Sequence, residues 1–191
     1  MREENIRKRR EEAEKQETTT FVIQKVYAYS EEYEALTMEH CLFKPFYLRK
    51  NYLGRNTEES FAKYLDGQNS IEWWMKNGDS GKEWFSIRYY NQETKKKELF
   101  YPDWIYKKKD GTIGIWDTKG GITASATETK DKAKELQRHI ESLNNPSREG
   151  IRYEGGIVIK ANAIWYYNSN KEYQYQDGST EGWEKMSSVF K

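Results

Sequence analysis

Cysteine is almost absent: the 191 residues contain only Cys41. A disulfide within the chain and a four-thiolate zinc site are therefore excluded, and a reducing, cytoplasmic setting is expected. Cys41 itself is expected to be a small buried apolar residue. Long apolar runs are also missing. None approaches the ~20 residues of a membrane span, so no membrane association is expected. The N-terminal MREENIRKRREEAEKQE has no apolar centre and cannot be a secretory signal. Charge of one sign is not in excess, the net being +1, so nucleic-acid binding would rest on local patches. The two histidines, His40 and His139, are too isolated for a zinc site or a histidine-based nuclease.

Aromatic rings are abundant. Hydrophobic residues make up 36% of the chain, yet aromatics alone reach 15%, so the core is expected to be built on rings. The length fits one ordinary domain with an appendage. Residues 1–17 read as a charged helical extension or linker, and over 2–17 Ile6 is the one large apolar residue. A basic arm touching DNA is the alternative reading there. Residues 18–191 read as the domain, with its core over about 56–168.

Along that domain, TTTFVIQKVYAY (18–29) reads as a strand, and EEYEALTMEHCLF (31–43) could be helical. A helix is expected over 56–66, with Asn56 as N-cap and Glu59 as its capping-box partner. Phe61, Ala62 and Leu65 form its apolar face. Glu58 lies three and seven residues before Phe61 and Leu65 and so shares that face. A favourable place near the helix dipole is the plain explanation for an acid there. IEWWMKN (71–77) and EWFSIRYYN (83–91) read as strands. Trp73, Trp74, Trp104 and Trp116 are expected to pack in the core or on a sheet face. A helix follows over 125–144, with Ser125 and Glu128 as a capping box and Ala133, Leu136, Ile140 and Leu143 as its stripe. GGIVIKANAIWYYN (155–168) supplies one or two strands. The order of elements predicts an α/β sheet with helices on its faces, and a crossover through the 125–144 helix.

The stretch FYPDWIYKKKDGTIGIWDTKGG (100–121) reads as two strands and a tight turn. Asp117 and Lys119 share a face because strand side chains alternate. A two-residue turn at Asp110-Gly111 would put Asp103 on the opposite face from Asp117. A three-residue loop, Lys109 to Gly111, pairs the two acids on one face. That loop requires its last residue in the left-handed region, so Gly111 is expected to have positive φ. Two carboxylates and an ammonium at one sheet end could hold a hard divalent cation and a water beside it.

Pro102-Asp103, thirteen residues, then Asp117-Thr118-Lys119 resembles the PD-(D/E)xK nuclease superfamily, and the order of elements is similar to its αβββαβ core. A closer resemblance covers about 56–145. The runs EESFAKYLD (Glu58 to Asp66), IEWWMKN, FSIRYY, FYPDWI, DTKGG and TKDKAKEL are similar to the C-terminal endonuclease domain of type III restriction enzyme Res subunits and related helicase-linked nucleases. The resemblance implies a restriction-endonuclease-like mixed central sheet flanked by helices. It implies a Mg²⁺-dependent DNA endonuclease with Asp103, Asp117, Lys119 and Glu58 as catalytic residues. Asp103, Asp117 and Glu58 would hold Mg²⁺, for which Mn²⁺ can substitute. DNA is the implied substrate, with a helicase/translocase domain and a methyltransferase subunit outside this chain as implied partners in a restriction-modification system. GDSGK (78–82) is too short for a phosphate loop and is followed by Glu83, so no motor is expected here. The chain is expected to be a detached nuclease domain, a fragment, or a stand-alone relative. Lys107, Lys108, Lys109, Lys130 and Lys132 are candidate phosphate contacts, with plain solvated turns and helix faces as the alternative. The whole constellation could instead be a surface ion-pair cluster. The competing function is a catalytically silent DNA-binding or protein-docking module on the same fold.

Overall fold

The computed structural model describes residue 23 and residues 27–120, 122–145 and 150–191. The expected extension over 1–17 and most of the strand expected over 18–29 lie outside these residues. In chain order the elements are β1 (Tyr33–Leu36), β2 (Phe46–Arg49), α1 (Arg55–Asp66), β3 (Ile71–Lys76), β4 (Ile87–Asn91), β5 (Lys96–Phe100), β6 (Trp104–Lys108), β7 (Ile113–Thr118), a short α2 (Ile122–Ser125), α3 (Thr127–Leu143), β8 (Tyr153–Ala161), β9 (Ile164–Asn168) and β10 (Glu184–Lys185). Six of the strands make a mixed sheet in the order β10-β9-β8-β7-β6-β3, while β1-β2 and β4-β5 pair as separate hairpins. Within the large sheet β7 and β8 run parallel, and α2 and α3 lie in the connection between them. The fold is mixed α/β. No helix among the described residues is long and apolar enough to cross a membrane.

Strand alternation divides the core between the two faces of the sheet. On one face α1 packs Phe61 and Leu65, both fully buried, against Trp74, Trp104 and Trp116. Each of those two aliphatic or aromatic side chains contributes about 2–3 kcal/mol of transfer free energy. On the other face α3 packs Leu136 and Ile140 against Ile115, and Ala133 beside Ile157. The tryptophans at 74, 104 and 116 are thus core residues, as expected, and Trp73 is half-buried. Cys41 is buried as well, and burial pushes its thiol up to about 11.

Three local expectations are corrected. Residues 33–36, read as helical, form β1 and pair with β2. The Asp66 carboxylate accepts hydrogen bonds from the backbone N–H groups of Glu39 (2.9 Å) and His40 (2.8 Å), so a long-range partner takes donors a helix would have used. The start of α1 has no side-chain cap: Gly54, at φ 103°, is the N-cap. Glu59 pairs instead with Lys63 at 2.6 Å, one turn along the helix. At α3 the N-cap is Ala126 rather than Ser125. Ser125 closes α2, extended Ala126 precedes α3, and the Glu128 carboxylate goes to Lys132 and the Tyr89 hydroxyl.

The β6–β7 hairpin has the three-residue loop. Trp104 pairs with Trp116 and Lys107 with Ile113, and Lys108 N–H donates to Thr112 O at 2.8 Å. Gly111 has φ 90°, with open space around the position a Cβ would take. Substitution there meets a purely backbone penalty. Gly111→Ala is expected to lower the unfolding free energy by about 1–2 kcal/mol in urea titration. A loss below about 0.3 kcal/mol would show that the left-handed turn does not set this hairpin.

Candidate active site

The register of that hairpin decides where the acids go. Asp103 immediately precedes β6, and Asp117 lies near the end of the antiparallel β7, so both stand at the same end of the sheet. Asp103 is fixed there by Thr118, whose backbone N–H and hydroxyl both donate to Asp103 Oδ2, at 2.9 and 2.6 Å. The Thr118 hydroxyl also accepts from the Trp104 indole at 3.2 Å. The backbone carbonyl of Asp103 accepts from Asn77 N–H at 2.7 Å, which ties the acid to the end of β3. Asp117 is 1% exposed, and Lys119 Nζ stands 2.5 Å from its Oδ2.

Glu58 arrives from the first turn of α1. Because α1 lies against the face carrying Trp74 and Trp104, the carboxylate points to the same end of β3, where Lys76 Nζ lies 3.2 Å from Glu58 Oε2. Lys76 is a site residue that the sequence reading did not single out. It pairs with Trp104, next to Asp103, and its ammonium lies 5.7 Å from the centre of the Trp104 ring. The available signal was its alternation with Trp74 along IEWWMK. Using it required knowing that β3 lies beside β6, although two strands intervene in the chain.

The electrostatics follow from charge removed from water. Burial pushes the Asp117 carboxyl up to about 6; the Lys119 ammonium opposes that rise, and the Asp103 carboxylate adds to it. Burial would pull Lys119 down, but Asp117 and Asp103 more than offset it and hold the ammonium charged. Lys76 follows the same pattern: burial works against its charge, and Asp103 and Glu58 overcome it. Asp103 therefore acts on both lysines, Lys76 beside Glu58 and Lys119 beside Asp117.

Among the described residues, no three acidic, histidine or cysteine side chains form a ready metal cage. Each acid is engaged by a neighbour: Glu58 by Lys76, Asp103 by Thr118, Asp117 by Lys119. Yet Glu58 Oε2 and Asp117 Oδ2 are sealed from solvent and receive no hydrogen bond of good geometry. Buried carboxylate oxygens in that condition are suited to a hard divalent cation, which prefers oxygen donors. In donor chemistry the acids match the group that the family resemblance implies, and the two ammoniums stand where it would be held.

The candidate phosphate-binding lysines divide by position. Lys107, Lys108 and Lys109 stand at the turn end of the hairpin, roughly 17 Å of strand from the acids. Lys107 pairs with Glu72 at 2.8 Å, and Lys108 is buried, paired with Glu154 at 2.6 Å. Lys109 is exposed there. Lys132 lies closer, near enough for its charge to act on Asp117, and pairs with Glu128 at 2.6 Å. Lys130 is exposed on α3.

The raised pKa of Asp117 has a definite sign. The folded chain keeps a proton there between the ordinary value of about 4 and about 6, so this group's contribution to stability falls as pH rises through that window. Above about 6 the Asp117–Lys119 pair is ionic. Carbon-detected NMR of the metal-free protein should place the Asp117 carboxyl midpoint near 6, and Lys119→Met should move it higher. A midpoint near 4 would contradict the burial argument. Comparison of the chain with protein-family models, with curated proteins and with solved structures yields no match.

Proposed function

We propose that this chain is a Mg²⁺-dependent DNA endonuclease domain of the PD-(D/E)xK type, related to the nuclease part of type III restriction enzymes. The observation that carries the reading is the assembly of Glu58, Asp103, Asp117 and Lys119 at one end of a mixed sheet, with a sealed oxygen on two of the acids held beside a lysine ammonium. The order α1, β3, β6, β7, α3, β8 supports the αβββαβ assignment, with β4-β5 as an insertion.

Phosphodiester hydrolysis requires an oriented water, relief of charge at phosphorus and help for the leaving oxygen. Asp103, Asp117 and Glu58 would hold the cation, which when bound supplies Lewis-acid polarisation of the phosphoryl oxygens. Thr118 keeps the Asp103 carboxylate in place through two hydrogen bonds, so no reorganisation is needed there. Lys119, kept charged by its surroundings, orients the attacking water and offsets negative charge in the transition state. Lys76 neutralises Glu58, and Glu58 would be one of the residues to hold the cation. Lys132 is placed to meet a phosphate near Asp117.

A second reading, a silent DNA-binding or docking module, is favoured by one observation: the sealed oxygens of Glu58 and Asp117 already have lysine ammoniums beside them. Two measurements separate the readings. Calorimetry with Mn²⁺ should show uptake by the wild type and its loss in Asp103→Asn; no uptake at all leaves the module. Where plasmid or single-stranded DNA is cut in Mg²⁺, Asp117→Ala and Lys119→Ala should each slow cleavage by about 10²-fold or more. Cutting that survives both substitutions sinks the nuclease assignment.

A further inference from the structure

A pocket of about 250 Å³ opens between the β1-β2 hairpin, the segment leading into α1 and the loop after β3, and Glu58 and Lys76 form part of its wall. Its volume is below the ~300–1,000 Å³ of sites for drug-sized ligands, so it suits a single small ring system. The walls carry stacked rings. Tyr29 lies on Tyr47 with centroids 4.6 Å apart and planes at 18°. Trp84 lies on Tyr27 at 4.3 Å and 9°. Rings already packed together lose little freedom when a planar ligand joins the stack.

Two polar atoms lie behind the pocket wall. The Tyr52 hydroxyl and Glu58 Oε2 are both sealed from water and both without a hydrogen bond of good geometry, although Tyr52 lies against Glu58. Those two atoms are closed off from the pocket, so the flat ring walls select its occupant, and they match a planar aromatic ring. Its charge is balanced, because Glu58 and Lys76 face each other at 3.2 Å. An aromatic cage for a free ammonium ion would need uncompensated negative potential, which that pair removes.

We propose that this pocket seats one unpaired nucleobase of a DNA strand whose phosphodiester lies against Asp103, Asp117 and Lys119. The proposal rests on the nuclease reading for what that neighbouring site does, and it adds a substrate class. A base inside a duplex has both faces stacked and its edge paired, so it cannot enter; the substrate is single-stranded, frayed or actively unwound DNA. Glu58 and Lys76 belong to both the pocket and the acid cluster, and they couple the seated base to the adjoining backbone.

The test uses the full chain in EDTA, so that nothing is cut. Fluorescence anisotropy compares a labelled eight-nucleotide DNA strand, the same strand lacking its bases, and the corresponding duplex. The wild type should bind the intact strand at least about tenfold more tightly than the abasic one, and more tightly than the duplex. Tyr47→Ala and Trp84→Ala should each remove most of that preference, while Tyr47→Phe keeps it. Equal affinity for intact and abasic strands, tighter binding of the duplex, or a preference that survives both alanine variants overturns the proposal. Mn²⁺ calorimetry on the same proteins separates the two claims. Uptake should be unchanged in the Tyr47 and Trp84 variants. Base preference without Mn²⁺ uptake removes the nuclease reading and leaves the pocket; Mn²⁺ uptake without base preference removes the pocket and leaves the nuclease.

Discussion

Neutralisation of charge without water is the constraint on which this molecule turns. Asp117 is sealed under α3, and Glu58 is partly sealed beneath the β1-β2 side. Removing an ion from water costs several kcal/mol, and deleting one partner of a buried pair typically costs about 3–5 kcal/mol. Such a carboxylate is tolerated only if a cation is delivered to it by the fold. Here Lys119 follows Asp117 by two residues, whereas Glu58 on α1 receives Lys76 from the end of β3. The arrangement links the helix on one face to the helix on the other through Asp103, whose charge acts on both lysines.

That coupling depends on parity. A strand changes face with every residue, so one residue more or fewer in the β6–β7 turn would send Asp103 and Asp117 to opposite sides. Hydrogen bonds between the strands cannot prevent such a slip by themselves. The glycine in the left-handed region and the burial of Trp104 and Trp116 on one face, with Ile115 on the other, select the register together. Tyr106 crosses over Gly114, its partner in the hairpin, where any side chain would collide with the ring. Turn chemistry and core packing therefore favour the same alignment.

Much of this was legible from residue order because it is local. Apolar and aromatic runs located β3 and β8, the hairpin pattern located β6 and β7, the three- and four-residue stripe located α3, and Gly111 specified the loop. Glu58 could be placed on the inner face of its helix by spacing alone. What escaped was non-local. Asn56 and Ser125 have the residue types of caps, but the chain enters α1 through a left-handed glycine and α3 through extended Ala126. The segment after Glu31 has helical composition, yet strand pairing and the Asp66 carboxylate claim its backbone. Lys76 acquires meaning only through the neighbour of its strand. Lys108 resembled an exposed turn lysine, and only the fold shows it folded inward onto Glu154 and the carbonyl of Val189.

The buried side chain of Asn77 accepts from Phe85 N–H and donates to the carbonyls of Phe85 and Pro102, at 3.1, 2.7 and 2.9 Å. It pins together the points where the chain leaves the sheet after β3 and returns before Asp103. The β4-β5 excursion is closed at its base, and lengthening a closed loop costs only about 0.6 kcal/mol per doubling. The interval between Glu58 and Asp103 is consequently elastic, whereas the interval from Asp103 to Asp117 is rigid. A search for similar sites by fixed spacing would succeed across the hairpin and fail across the excursion, however well the geometry at the sheet end had been kept.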